Sequence, residues 1–104
     1  MKVFYGGKFI EKSKLEEVGI FYPIKLEYYK SIDSEISKNG SYFGISIVKT
    51  EYKKDNVIVE TKDLRNITQS EIAVDNLLNL FKENEVTPVN AQEIMYDLRK
   101  NILI

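Results

Sequence analysis

Residues 67–104 read ITQSEIAVDNLLNLFKENEVTPVNAQEIMYDLRKNILI, and the spacing of apolar residues in this stretch decides the fold. Val74, Leu77, Leu78 and Phe81 recur at steps of three, one and three. That spacing lays them along one stripe of a helix, which Ile72 and Leu80 would widen. Thr68, Gln69, Ser70 and Glu71 form a capping box, with the Thr68 hydroxyl expected to accept from the amide three residues on. Asn84 is the expected left-handed cap at the other end, and Pro88 forbids continuation. After a turn at 85–88, Asn90 and Glu93 repeat the capping pattern, with Val89 placed to staple against Ile94. Ala91, Ile94, Met95, Leu98 and Ile102 then supply a second helical stripe. Two antiparallel helices follow, and their apolar faces need a partner sheet.

The residues before this hairpin can supply that sheet. Lys2 to Ile10 is rich in β-formers interrupted by Gly6 and Gly7, which reads as a strand carrying a bulge or turn. Residues 12–18 are charged and form a loop or one helical turn. Ile20, Tyr22, Ile24, Leu26 and Tyr28 alternate with Phe21, Pro23, Lys25, Glu27 and Tyr29, a period-two strand whose Pro23 points to an edge or a bulge. Residues 33–41 form a turn region. Phe43, Ile45 and Ile47 share one face of the next strand, and Gly44 marks a bulge or the close approach of a neighbour. Lys53, Lys54, Asp55 and Asn56 turn the chain into Val57, Ile58 and Val59, completing a hairpin. The expectation is an α+β fold with one domain over 1–104. An antiparallel sheet of about four strands (1–65) is followed by a two-helix hairpin (66–104) packed on one face. Phe43, Ile45, Ile47, Val57, Val59, Val74, Leu77, Leu78, Phe81, Ile94, Met95 and Leu98 form the expected core.

With 104 residues the chain can bury about two thirds of its unfolded surface and fold without covalent staples. It has neither cysteine nor histidine. Thiolate nucleophiles, Ser/His/Asp arrangements, imidazole metal sites and the usual neutral-pH general base are therefore absent. Asp33, Glu35, Ser37, Asn39 and Gly40 mimic a calcium loop, but Lys38 stands where its glycine is needed and Gly44 where its bidentate glutamate is needed. Gly6 and Gly7 lack the lysine and hydroxyl residue of a phosphate loop. The expectation is a protein that is not an enzyme and holds no cofactor or metal. The apolar runs are too short for a signal peptide or membrane span, which points to the cytoplasm. A formal net charge of −1 opposes strong nonspecific attraction to nucleic acid or anionic lipid.

Tyr42, Phe43, Gly44 and Ile45, the charged hairpin after them, Ile67 and Thr68, and a helix ending in Asn84, Glu85, Val86, Thr87 and Pro88 resemble an uncharacterised family of small clostridial and related Firmicutes proteins. The resemblance covers about residues 42–100. It implies a bacterial protein without assigned activity, cofactor or catalytic residue.

Two surface readings remain. Tyr5, Tyr22, Tyr28, Tyr29, Tyr42 and Tyr52 are interleaved with Lys25, Lys30, Lys49, Lys53 and Lys54, and tyrosines between lysines on an open sheet face could stack single-stranded bases. The alternative, which the net charge favours, is a protein-interaction or regulatory module with a protein partner or a homodimer. Tyr28, Tyr29, Tyr52, Leu103 and Ile104 are its candidate interaction surface, because apolar residues at a chain end need a cover. Small size and the lack of catalytic groups also fit a phage or mobile-element inhibitor.

Overall fold

The computed structural model describes residues 1–34 and 40–101. Most of the calcium-like pattern (35–39) and Ile102, Leu103 and Ile104 lie outside the described residues. Four antiparallel strands come first: β1 (Lys2–Ile10), β2 (Ile24–Asp33), β3 (Tyr42–Tyr52) and β4 (Val57–Thr68), in sheet order β1-β2-β3-β4. A one-turn helix, α1 (Lys12–Leu15), and a 3₁₀ turn (Glu16–Val18) link β1 to β2. Two helices follow the sheet, α2 (Glu71–Glu83) and α3 (Ala91–Asn101).

Register explains the burial. Tyr28 stands opposite Ile47, Lys30 opposite Ile45, and Ile45 opposite Leu64. Ile24, Leu26 and Tyr28 therefore share a face with Ile45, Ile47 and Leu64, since side chains alternate along a strand. These residues join Val74, Leu77, Leu78 and Phe81 of α2 and Ala91 and Met95 of α3 in one core, and α2 touches all four strands. Phe43, Ile94 and Leu98 are partly buried against it. Tyr28 is fully buried, and its hydroxyl donates to the Val86 carbonyl at 2.8 Å, tying β2 to the turn after α2. Burial pushes its phenol pKa well above the ordinary value.

Several local details differ from the sequence expectation. Val57 and Val59 are more than half exposed; they pair with Tyr52 and Thr50 and so fall on the face opposite the core. Ile72, Leu80 and Val89 are also exposed, because the stripe of α2 that meets the sheet is narrower than its apolar content and Val89 sits in the solvent-facing turn. Strand pairing persists to Thr68, which lies opposite Phe43. The helix consequently starts later, with the Ser70 hydroxyl accepting from the Ala73 amide at 3.2 Å, while Thr68 accepts from the Ser70 amide. At the other end of α2 the left-handed residue is Glu85 (φ 52°), one place beyond Asn84. The Glu85 amide donates to the Lys82 carbonyl and the Val86 amide to the Phe81 carbonyl. This is a Schellman closure with a buried apolar residue just beyond it. The Asn90 side chain accepts from the Thr87 amide and hydroxyl, bracing the turn.

The glycines behave as bulge markers. The β1–β2 register shifts between Phe4 and Gly6, and the β3–β4 register shifts between Phe43 and Ile45. A Cβ on Gly44 would overlap the Leu64 carbonyl oxygen and lie 2.6 Å from Ser31 Oγ, so β4 can bulge here only against a bare backbone. Across the bulge Asn66 takes a left-handed conformation (φ 53°).

Candidate interaction surface

The face of the sheet opposite the core follows from the same register. It carries Phe4 and Phe9 from β1, Lys25, Glu27 and Tyr29 from β2, Ser46, Thr50 and Tyr52 from β3, and Val57, Val59 and Asp63 from β4. Phe4, Phe9, Val57 and Val59 are each more than half exposed and Tyr52 is 36% exposed. Phe4 meets Tyr29 edge-on at 5.4 Å between ring centroids, and Phe9 lies 6.3 Å from Tyr52. The apolar area thus runs along both outer strands.

One end of this face is polar. Ser46 is buried, and its hydroxyl donates to Asp63 at 2.5 Å, while Lys2 reaches the same carboxylate at 3.1 Å. The serine bond first, and Lys2 second, hold the Asp63 carboxyl below its ordinary pKa. A cleft of about 560 Å³ sits here, lined in part by Ser31, Asp33 and Arg65. Its charges alternate, with Arg65 3.9 Å from Asp33.

The expected tyrosines and lysines are dispersed rather than brought together. Tyr29 and Tyr52 lie on the open face, but Tyr28 is inside the core and is no surface residue. Leu103 and Ile104 lie outside the described residues. Tyr22 sits on the core side, donating to Glu51 at 2.5 Å. Lys30 is held by Glu71 at 2.8 Å and Asp75 at 2.9 Å on α2, and Lys49 lies 3.9 Å from both Glu51 and Glu60. Lys53 rests over the Tyr22 ring. On the open face itself Lys25 is 3.6 Å from Glu27, and Tyr52 first, then Glu27, raise its pKa. Phe4, Phe9, Val57 and Val59 were absent from the expected surface. The period-two pattern of 57–61 was the available signal, but alternation does not say which face is inward.

A family described as a family of unknown function (DUF6514) matches residues 7–101. The chain belongs to that family. The match reaches well into the N-terminal third, beyond the 42–100 span of the sequence resemblance, and takes in β2 and the end of β1 from Gly7. No curated protein and no solved structure matches the chain. Among the described residues of this DUF6514 member, no helix is long and apolar enough to cross a membrane, and no group of three or more acidic side chains is placed to hold a metal ion.

The Tyr22–Glu51 bond makes a pH prediction. The Tyr22 hydroxyl is the largest influence holding the Glu51 carboxyl below its ordinary pKa, with Lys49 and Lys53 adding to it against the opposing effect of burial. The folded chain then releases this proton at lower pH than the unfolded chain. The associated stability is present above the ordinary glutamate value of about 4.3 and is lost as pH falls through the lower folded value. Tyr22→Phe should lower the urea midpoint at pH 7 and make its decline between about pH 5 and 3 shallower than in the parent. Parallel declines in the two proteins would show that this bond does not contribute.

Proposed function

We propose that this chain is a non-enzymatic cytoplasmic binding module of bacterial origin, with its sheet covered on one face by the helical hairpin and its other face docking a protein partner. The observation that carries this reading is the exposure of Phe4, Phe9, Tyr52, Val57 and Val59 on one sheet face. Phe9 against Tyr52, with Val57 paired beside it, forms an exposed apolar cluster of the kind that marks an interaction site. The chemistry of the face favours protein over nucleic acid: its cations Lys2 and Lys25 lie beside Asp63 and Glu27, leaving little uncompensated charge for phosphates. Single-stranded nucleic acid is the second reading, supported by Lys25 beside Tyr52. A regulatory or inhibitory role, including that of a mobile-element inhibitor, would use the same protein-docking face.

The test is capture of tagged chain from bacterial lysate with nuclease, comparing the parent with a Phe9→Ser, Val59→Ser double variant. Both side chains are exposed, and circular dichroism of the variant checks that its fold is intact. The expected result is a stoichiometric protein recovered by the parent and at least about tenfold depleted with the variant, in line with the loss of two exposed apolar contacts. Oligonucleotide binding whose affinity falls steeply with salt would instead establish the nucleic-acid reading. Equal recovery of the same protein by parent and variant would overturn the assignment of the face.

A further inference from the structure

The outer edge of the sheet points to an occupant of its own, separate from the open face. β4 ends the strand order and pairs only with β3 among the described strands. It is 12 residues long. A long regular edge presents unpaired amides and carbonyls that another strand can match, and native proteins pair, cover or blunt such edges. Here the edge is regular from Val57 to Leu64, and the register shift comes only beyond Leu64.

On its core-side face the sequence of this edge is chemically symmetric about Thr61, while on the open face the same axis sets Val59 across from Asp63. Ile58, Glu60, Lys62 and Leu64 alternate on the core-side face, and Val57, Val59, Thr61 and Asp63 on the open face. Antiparallel pairing with an identical strand about a two-fold axis at Thr61 sets Ile58 across from Leu64 of the second copy and Glu60 across from its Lys62. Thr61 then faces itself. Apolar, opposite-charge and threonine pairs are the cross-strand combinations that stabilise a ladder. Moving the axis by one residue sets Glu60 or Lys62 against itself, so charge selects the Thr61 register. Glu60 keeps its approach to Lys49, 3.9 Å away, and becomes a carboxylate between two lysines.

A second observation supports the same register. A groove of about 270 Å³ lies between β4 and α3, lined by Leu64, Ile67, Met95, Tyr96 and the arginines Arg65 and Arg99. The residues that line it come from α3 and from β4, the outer strand of the sheet. In the Thr61 register Ile58 of a second copy comes across from Leu64, a residue that lines this groove. Leu64 and Met95 are buried core residues, so the incoming side chain extends the existing core.

We propose that the chain forms an isologous dimer by antiparallel β4–β4 pairing about Thr61, joining two four-stranded sheets into one of eight strands. The experiment is sedimentation analysis of the full chain at tens of micromolar, using the parent, Lys62→Glu, Glu60→Lys, and a one-to-one mixture of the two variants. The parent should be dimeric. Each variant alone sets like charges across the axis twice, and its self-association should weaken on the order of tenfold or more. The mixture restores opposite charges at both pairs and should dimerise. Circular dichroism on each variant reports whether its fold is intact, and recovery in the mixture requires it. A monomeric parent, a dimer indifferent to Lys62→Glu, or a mixture that stays monomeric would each overturn the proposal. Capture through the open face is read separately, so either result stands without the other.

Discussion

Gly44→Val should leave little folded protein, and even Gly44→Ala should cost more than about 3 kcal/mol. The added Cβ overlaps the Leu64 carbonyl oxygen and closes to 2.6 Å on Ser31 Oγ and 3.1 Å on the Arg65 Cα. Ser31 can rotate away, but two of the three obstacles are backbone. Relief therefore requires β4 to move off β3, which breaks the bulge that turns Arg65 and Asn66 outward and carries the chain to Thr68. Overpacking costs roughly 1–3 kcal/mol where side chains can adjust, and backbone that cannot give places this site above that range. Urea unfolding of Gly44→Ala beside Ser31→Ala, Gly44→Ala is the measurement. Full recovery in the double variant would show that the serine was the obstacle and that the backbone approach is not limiting.

Phe81→Ala should destabilise the chain by about 3–5 kcal/mol, the usual cost of removing a buried phenylalanine. Phe81 is 1% exposed, and its carbonyl accepts the Val86 amide in the closure of α2. The Val86 carbonyl in turn receives the buried Tyr28 hydroxyl. A cavity at Phe81 therefore loosens the contact of α2 with the sheet and the turn into α3 together. A domain of this size has roughly 5–15 kcal/mol in total, so a large part of the stability is lost and the urea midpoint should fall accordingly. A change below about 1 kcal/mol would mean that α2 is not central to the core. Leu80→Ala, on the same helix but 40% exposed, should change the midpoint far less.

The contrast between Phe81 and Leu80 also marks how far the sequence could be read. Val74, Leu77, Leu78 and Phe81 were legible as a buried stripe because helical spacing is a local property, fixed by 3.6 residues per turn whatever the helix packs against. Leu80 and Ile72 were not, because the width of the buried stripe depends on the surface it meets. The bulges at Gly6 and Gly44 and the hairpin at 53–56 could be anticipated from residue type, since they express limits on single φ, ψ values and on space near the backbone. The helix start could be placed only approximately: Thr68 and Ser70 are both good caps, and pairing of Thr68 with Phe43 left the role to Ser70.

The open face was the part least visible in the chain. Val57, Ile58 and Val59 are three adjacent apolar residues, and nothing in their order distinguishes inside from outside. A shift of one residue in register exchanges the faces of a strand, and the register of Val57 and Val59 is set by their pairing with Tyr52 and Thr50 across the hairpin. Tyr28 and Tyr29 illustrate the same point: adjacent and identical, one is sealed in the core against Val86 and the other lies beside Phe4 on the surface. By itself the sequence determined the elements, their order and the chemistry they lack, because those follow from local periodicity, backbone limits and composition. Only the tertiary structure decided which apolar residues remain uncovered and which charges are already paired, because burial and pairing depend on neighbours distant in the chain.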